Sequence, residues 1–416
     1  MKLDEYSRVR IEFVDGRVFE GVVLPNTVLK LDDGYNIGFS KKDVKEVTVL
    51  AKKSTRSSSV SAPSINSSLP RVDILHTGGT IASKVDYATG GVSNLFAPEE
   101  LLALYPELQG VAATRASFVA NMSSDDMRFD HYNLLVEAVK DALTSKPSGI
   151  VITHGTDTLH YTAAALHYAL QGVTVPVVLV GSQRSSDRGS SDAASNLLAA
   201  IRFCTHKDSP SGVFVAMHES SSDESVAIHQ GVFTRKMHTS RRDAFKTINA
   251  SLVAKVRKEE VSVLRKLDSA STFSPVLFDT RLRIGMLYAH PHMYAQEVSS
   301  YKGFDGLIVL GTGLGHLPIS VTDEYTQEHE KIFSSLNKLS CPVIMASQCV
   351  HGRINLQVYS PGRRLQEAGV LGHDLALSAE ALFCKLAYLL STKQDASLIA
   401  SDMGDVVLCT REDSYE

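Results

Sequence analysis

The nine residues Ile150–Thr158, IVITHGTDT, carry a strand and the start of a site in one stretch. Ile150, Val151 and Ile152 form an unbroken β-branched run, which suits a strand covered on both faces of a sheet. The run stops in the small polar segment Thr153-His154-Gly155-Thr156-Asp157-Thr158. Ala163 to Val180 then reads as a helix followed by another strand. The same switch recurs along the chain. Val72–Leu75 runs into Thr77-Gly78-Gly79-Thr80, Val177–Val180 into Gly181-Ser182, and Val213–Ala216 into Met217-His218. This repetition predicts an α/β fold with a parallel sheet from Arg71 onward. A second α/β unit starts near residue 285, with strands at Leu307–Leu310 and Val343–Met345 and a helix over Ala379–Leu390.

Upstream the pattern changes. Val9, Ile11 and Phe13 alternate with Arg8, Arg10 and Glu12, the period-two signature of a half-buried strand. Asp15-Gly16 and Asp32-Asp33-Gly34 supply turns around Val18–Leu24 and Tyr35–Phe39. Residues 1–51 therefore predict a small all-β, SH3-like barrel. Residues 52–70, in which eight of nineteen positions are Ser, predict a linker. The expected division is completed by an N-terminal α/β domain with the active site at 71–284 and a C-terminal α/β domain at 285–416.

The net charge is −4, and residues 1–50 carry eight Lys and Arg against nine Asp and Glu. Neither number is the footprint of a general nucleic-acid or membrane binder. Five scattered cysteines without C-x-x-C spacing argue against a zinc site or a disulfide framework. The fifteen histidines show no H-E-x-x-H spacing, so no metal is expected. The first residues are polar and acidic, unlike a signal peptide, and no apolar run of about 18 residues is present. A cytoplasmic protein is expected.

Ligands of open α/β sheets sit beyond the carboxyl ends of the strands. Thr77-Gly78-Gly79-Thr80 reads either as a plain turn or as a hydroxyl beside backbone N–H groups able to hold an oxyanion. His154–Thr158 reads either as a helix cap or as a hydroxyl–carboxylate pair for proton transfer. A hydroxyl nucleophile needs a base, and a lysine among cations can serve. Lys236, near Arg235, Arg241 and Arg242, fits that description, although a basic run more often marks a solvated face. Ser123-Ser124-Asp125-Asp126 either binds the polar ends of an amino acid or starts a helix. Gly311-Thr312-Gly313-Leu314-Gly315 is a poor dinucleotide loop, because Pro318 follows at once.

Taken in order, Thr77–Ala82 (TGGTIA), Ser123–Met127, Thr153–Thr158 (THGTDT) and Lys236 resemble the asparaginase/glutaminase family of amidohydrolases. The likeness runs over about residues 71–416, with Gly311–Gly315 and Ser347-Gln348-Cys349 resembling C-terminal segments. It implies a threonine nucleophile at Thr80 and a proton-moving group of Thr156, Asp157 and Lys236. It further implies substrate binding by Ser124 and Asp125, with Tyr87 the nearest match to a loop tyrosine. Three features resemble the D-subunit family of archaeal-type glutamyl-tRNA(Gln) amidotransferases. These are the extra β domain, the loop Arg235–Phe245 (RKMHTSRRDAF), and Asp125 where simple asparaginases usually carry Gln. That likeness implies glutamine hydrolysis, with ammonia passed to an E subunit that binds ATP and Mg and acts on Glu-tRNA(Gln). It also implies no cofactor in this chain, and a homodimer within an α2β2 assembly. A free-standing L-asparaginase is the alternative, and an asparaginase-like sensor without activity is a third reading.

Overall fold

A computed structural model of the 416-residue chain describes residues 7–24, 27–31, 36–51, 68–79, 81, 83–85, 92–94, 105–185, 191–267 and 272–406. The Asp32-Asp33-Gly34 turn and residues 52–67 of the linker lie outside these.

Strands β1 (Arg8–Phe13), β2 (Val18–Leu24), β3 (Val28–Leu31), β4 (Asn36–Gly38) and β5 (Val44–Ala51) form one antiparallel sheet in the order β4-β3-β2-β1-β5. Val9, Ile11 and Phe13 turn inward onto Val23 and Leu29, as the alternation requires. Gly16 takes φ +87° in the turn that follows β1.

The main sheet begins at β6 (Arg71–His76). A short hairpin, β7 (Ser83–Val85) with β8 (Val92–Asn94), precedes β9 (Ala113–Phe118), β10 (Gly149–Thr153), β11 (Pro176–Val180) and β12 (Gly212–His218). Strands β9, β6, β10, β11 and β12 run parallel. β13 (Val226–Gln230) continues the sheet antiparallel. A separate hairpin of β14 (Thr234–Lys236) and β15 (Phe245–Thr247) leaves it, and β16 (Ala254–Arg257) and β17 (Glu260–Val263) complete the antiparallel edge. Ile150, Ile152, Val177 and Leu179 pack on one face with helices α1 (Phe129–Leu143) and α2 (Leu159–Ala169). Val151, Val178 and Phe214 pack on the other with α3 (Ala193–Thr205). Both faces are dry, which explains why the strands read as continuous apolar runs.

The C-terminal unit has three parallel strands, β18 (Ile284–Tyr288), β19 (Gly306–Gly311) and β20 (Val343–Ser347). Its helices are α4 (Ala295–Ser299), α5 (Glu328–Leu336), α6 (Ser360–Glu367) and α7 (Ala379–Ser391). Helix α2 is buried along nearly its whole circumference, so it has apolar neighbours on every side. It lies between the main sheet and α7, in one cluster with Ile308 and Ile344 of the C-terminal sheet. A buried ion pair reinforces this contact. Lys385 of α7 meets Asp405 at 2.6 Å, with 1% of each side chain exposed, and the Tyr168 hydroxyl of α2 donates to the same carboxylate.

Candidate active site

Strands β6 and β10 are parallel neighbours that end together, His76 opposite Thr153. The chain leaving β6 stays attached to β10. The Thr77 N–H and hydroxyl both donate to the Thr153 carbonyl, at 3.2 and 2.8 Å. Gly78 and Gly79 follow with φ of +98° and +85°, a region where a side chain is strained. Space excludes one as well. A Cβ on Gly79 would lie 2.4 Å from the Gly155 nitrogen, and one on Gly78 would lie 2.8 Å from the Met122 backbone. A Cβ on Gly155 would meet the Ser124 side chain at 2.9 Å, and one on Gly181 the Thr156 methyl at 2.8 Å. Close backbone approach thus gathers the loops after β6, β9, β10 and β11 at one end of the sheet.

His154 fixes the β10 loop from inside. Its Nδ1 bonds the Gly155 carbonyl at 2.7 Å and its Nε2 the Thr162 hydroxyl at 2.9 Å. Assigned from these partners, the ring is neutral, with Nδ1–H donating and Nε2 accepting. Full burial pulls its pKa down to about 4.

Lys236 arrives on β14, paired with Phe245 of β15. Its ammonium donates to the Thr156 hydroxyl at 3.0 Å and to the Asp157 carboxylate at 2.8 Å. The amine stands between a buried hydroxyl and a carboxylate that is 69% exposed, with only 10% of the lysine side chain reaching solvent. The basic run around it is not a solvated cationic field. Arg235 pairs with Glu380, Arg241 with Asp243, and Arg242 with Asp223. Each arginine meets a carboxylate, Asp243 being shared with Lys246 and Asp223 with His218.

Ser124 is buried, and it serves the same loop. Its Oγ accepts from the Thr158 N–H at 3.3 Å, and its carbonyl accepts from the Thr158 hydroxyl at 2.5 Å. Asp125 beside it is exposed, in a short 3-10 turn that precedes α1. Thr80 and Tyr87 lie outside the described residues. Sequence reasoning did not single out His154, Thr158, Arg235 or Glu380 as a framework for the site. The first two sit inside the quoted motif, whereas the last is 145 residues from its partner and leaves no local signal. The Gly311–Gly315 segment closes a tight turn, Thr312 N–H to His316 carbonyl, and no helix starts there. Among the described residues no cluster of three His, Cys, Asp or Glu could hold a metal ion, and no helix is long and apolar enough to cross a membrane.

The arrangement brings a hydroxyl, an amine and a carboxylate into hydrogen-bond contact beside a glycine turn rich in backbone N–H groups. Such a set can shuttle protons for a nucleophile and hold a developing oxyanion.

Known proteins place the chain in a family. Residues 71–269 match the N-terminal asparaginase domain, residues 283–403 the glutaminase/asparaginase C-terminal domain, and residues 3–50 the GatD N-terminal domain. The chain is 36% identical to the D subunit of glutamyl-tRNA(Gln) amidotransferase from Pyrococcus horikoshii, covering 100% of this chain and 97% of that one. It is 38% identical to the D subunit from Thermofilum pendens, covering 94% and 89%. Among solved structures, the thermostable L-asparaginase from Thermococcus kodakarensis superposes with a TM-score of 0.70 at 28% identity, over 81% of this chain and 99% of that one. Built on an asparaginase/glutaminase fold and matched from end to end, the chain belongs to the D-subunit family of glutamyl-tRNA(Gln) amidotransferases.

Proposed function

We propose that the chain hydrolyses glutamine to glutamate and ammonia, and that the ammonia serves a partner subunit that amidates Glu-tRNA(Gln). The observation that carries this reading is the Lys236 amine in simultaneous contact with Thr156 and Asp157 beside the Gly78-Gly79 turn. Thr80, next in the sequence, attacks the side-chain amide carbon. Backbone N–H groups of the turn stabilise the tetrahedral oxyanion. Thr156, Asp157 and Lys236 move the protons, ammonia leaves, and water resolves the acyl-enzyme. Ser124 and Asp125, with Tyr87, bind the amino-acid end of the substrate. Hydrolysis needs no cofactor in this chain; ATP and Mg belong to the partner, an E subunit. The working assembly is a cytoplasmic heterotetramer built on a homodimer of this chain.

The test is ammonia release from glutamine and from asparagine, by the isolated chain and with a kinase-type partner plus Glu-tRNA(Gln). Glutamine use that rises with partner and charged tRNA supports the reading. The likeness to an L-asparaginase keeps a free-standing asparaginase as the second reading, although it leaves the sheet at residues 8–51 without a role. Fast asparagine turnover by the chain alone would select that second reading.

A further inference from the structure

Lys236 is delivered by an element with little backbone support. β14 has three residues and a single partner strand, and it lies outside the main sheet. Its neighbour Arg235 reaches α7 of the C-terminal unit and meets the Glu380 carboxylate at 3.0 Å, with 26% and 11% of the two side chains exposed. Glu380 stands in the first turn of α7, capped by Ser378, where the helix N-terminus favours an anion. Successive residues of a strand point to opposite sides. An anchor on Arg235 therefore sets the direction in which Lys236 leaves the backbone.

We propose that Glu380 is a positioning residue for Lys236, acting through Arg235 to hold the amine on Thr156 and Asp157. The charge of Glu380 also offsets that of Arg235. Groups facing this cluster are His154 from the β10 loop, His160 and Tyr161 of α2, Lys236 of β14 and Cys384 of α7. The nearer imidazole, His160, is buried and kept neutral. Glu380 is thus the one anion from α7 in the cluster and faces Arg235, while Asp157 of the β10 loop faces Lys236. Without it, an unpaired guanidinium would press on the amine.

This inference deepens the glutaminase reading and uses its lysine. The test compares the full chain with Glu380→Gln and Glu380→Asp. In ammonia release from glutamine, Glu380→Gln is expected to lower kcat about 10- to 100-fold with little change in KM, the scale of a misplaced catalytic group. Glu380→Asp restores most of the rate. Adding Arg235→Gln to Glu380→Gln makes the enzyme no slower than the slower single variant, because both act through one contact. The pH dependence of Lys236 acetylation by a small anhydride, followed by mass spectrometry, moves to lower pH in Glu380→Gln and returns in Glu380→Asp. Labelling requires no turnover, so it decides the positioning claim even if the wild-type chain alone releases no ammonia; no release with the partner and Glu-tRNA(Gln) present would instead sink the glutaminase reading. Multiplying effects in the double variant, or unchanged labelling in Glu380→Gln, would overturn the proposal.

Discussion

Thr156 stands just beyond β10, a strand whose residues are all buried between two parallel neighbours. Lys236, 3.0 Å away, ends a three-residue strand with one partner. One half of the proposed reacting set is held by a continuous backbone ladder and by glycines that permit no side chain. The other half is held by side chains that cross to the C-terminal unit. Asn249, just after β15, repeats the second device: its amide donates to the Gly352 and Ala376 carbonyls and accepts from the Gly352 N–H. The difference teaches that the C-terminal unit, which supplies none of the proposed proton carriers, still fixes where one of them sits.

The largest effect breaks the meeting point. Thr80→Ala and Lys236→Met are each expected to lower glutamine-dependent ammonia release by about 10³- to 10⁴-fold, as for members of a catalytic unit. Circular dichroism should show both variants folded. A Lys236→Met enzyme at wild-type rate would remove the lysine from the chemistry.

The next effect strikes the join between the two units. Asp405→Ala leaves Lys385 buried and unpaired, and is expected to cost about 3–5 kcal/mol in urea unfolding. Equal midpoints for variant and wild type would show that the buried pair contributes nothing there.

pH sharpens the contrast from the sheet side. Burial lowers His76, His154 and His160 to about 4 and His229 to about 3. In the unfolded chain these groups protonate near 6.5, so below that pH the unfolded state holds more protons. Their stabilising effect is complete above about pH 6.5 and is lost as pH falls toward 4, at up to about 1.4 kcal/mol per unit for each histidine. The exposed His290 opposes this, raised by the Pro291 carbonyl and Glu297. The urea midpoint should fall from pH 7 to pH 5; a flat profile would contradict the buried neutral rings.

The smallest effect tests the hairpin clamp. Asn249→Ala should cost about 1–3 kcal/mol, the cost of leaving the carbonyls and N–H of its partners without a bond. It should lower kcat more than it changes KM. A change confined to KM would detach Asn249 from the lysine's placement.

Much of this was legible in the sequence. The central parallel strands are continuous apolar runs with a polar stop, so β6, β10, β11, β12, β19 and β20 stood out. Helix α7 did too. Strands β13, β16 and β17 did not: β13 is fully buried but mixes His229 and Gln230 with its apolar residues, β16 carries Lys255 and Arg257, and the edge strand Glu260–Val263 is half-exposed. The motif residues Thr156 and Asp157 were readable, and so was Lys236 through the order of motifs. The packing reason for Gly79 was not, since it depends on Gly155, 76 positions away in the chain. The Arg235–Glu380 and Lys385–Asp405 pairs were also invisible, because pairing across units follows tertiary packing and no local period.

The central proposal is that Thr80, which follows Gly78-Gly79 in the sequence, is the group that attacks glutamine, with Lys236 and Thr156 moving the protons. Mass spectrometry of the chain after reaction with an electrophilic glutamine analogue tests this directly. The account predicts a covalent adduct on Thr80, absent from Thr80→Ala and strongly slowed in Lys236→Met. An adduct on another residue, or full labelling of the Lys236→Met chain at the wild-type rate, would contradict it.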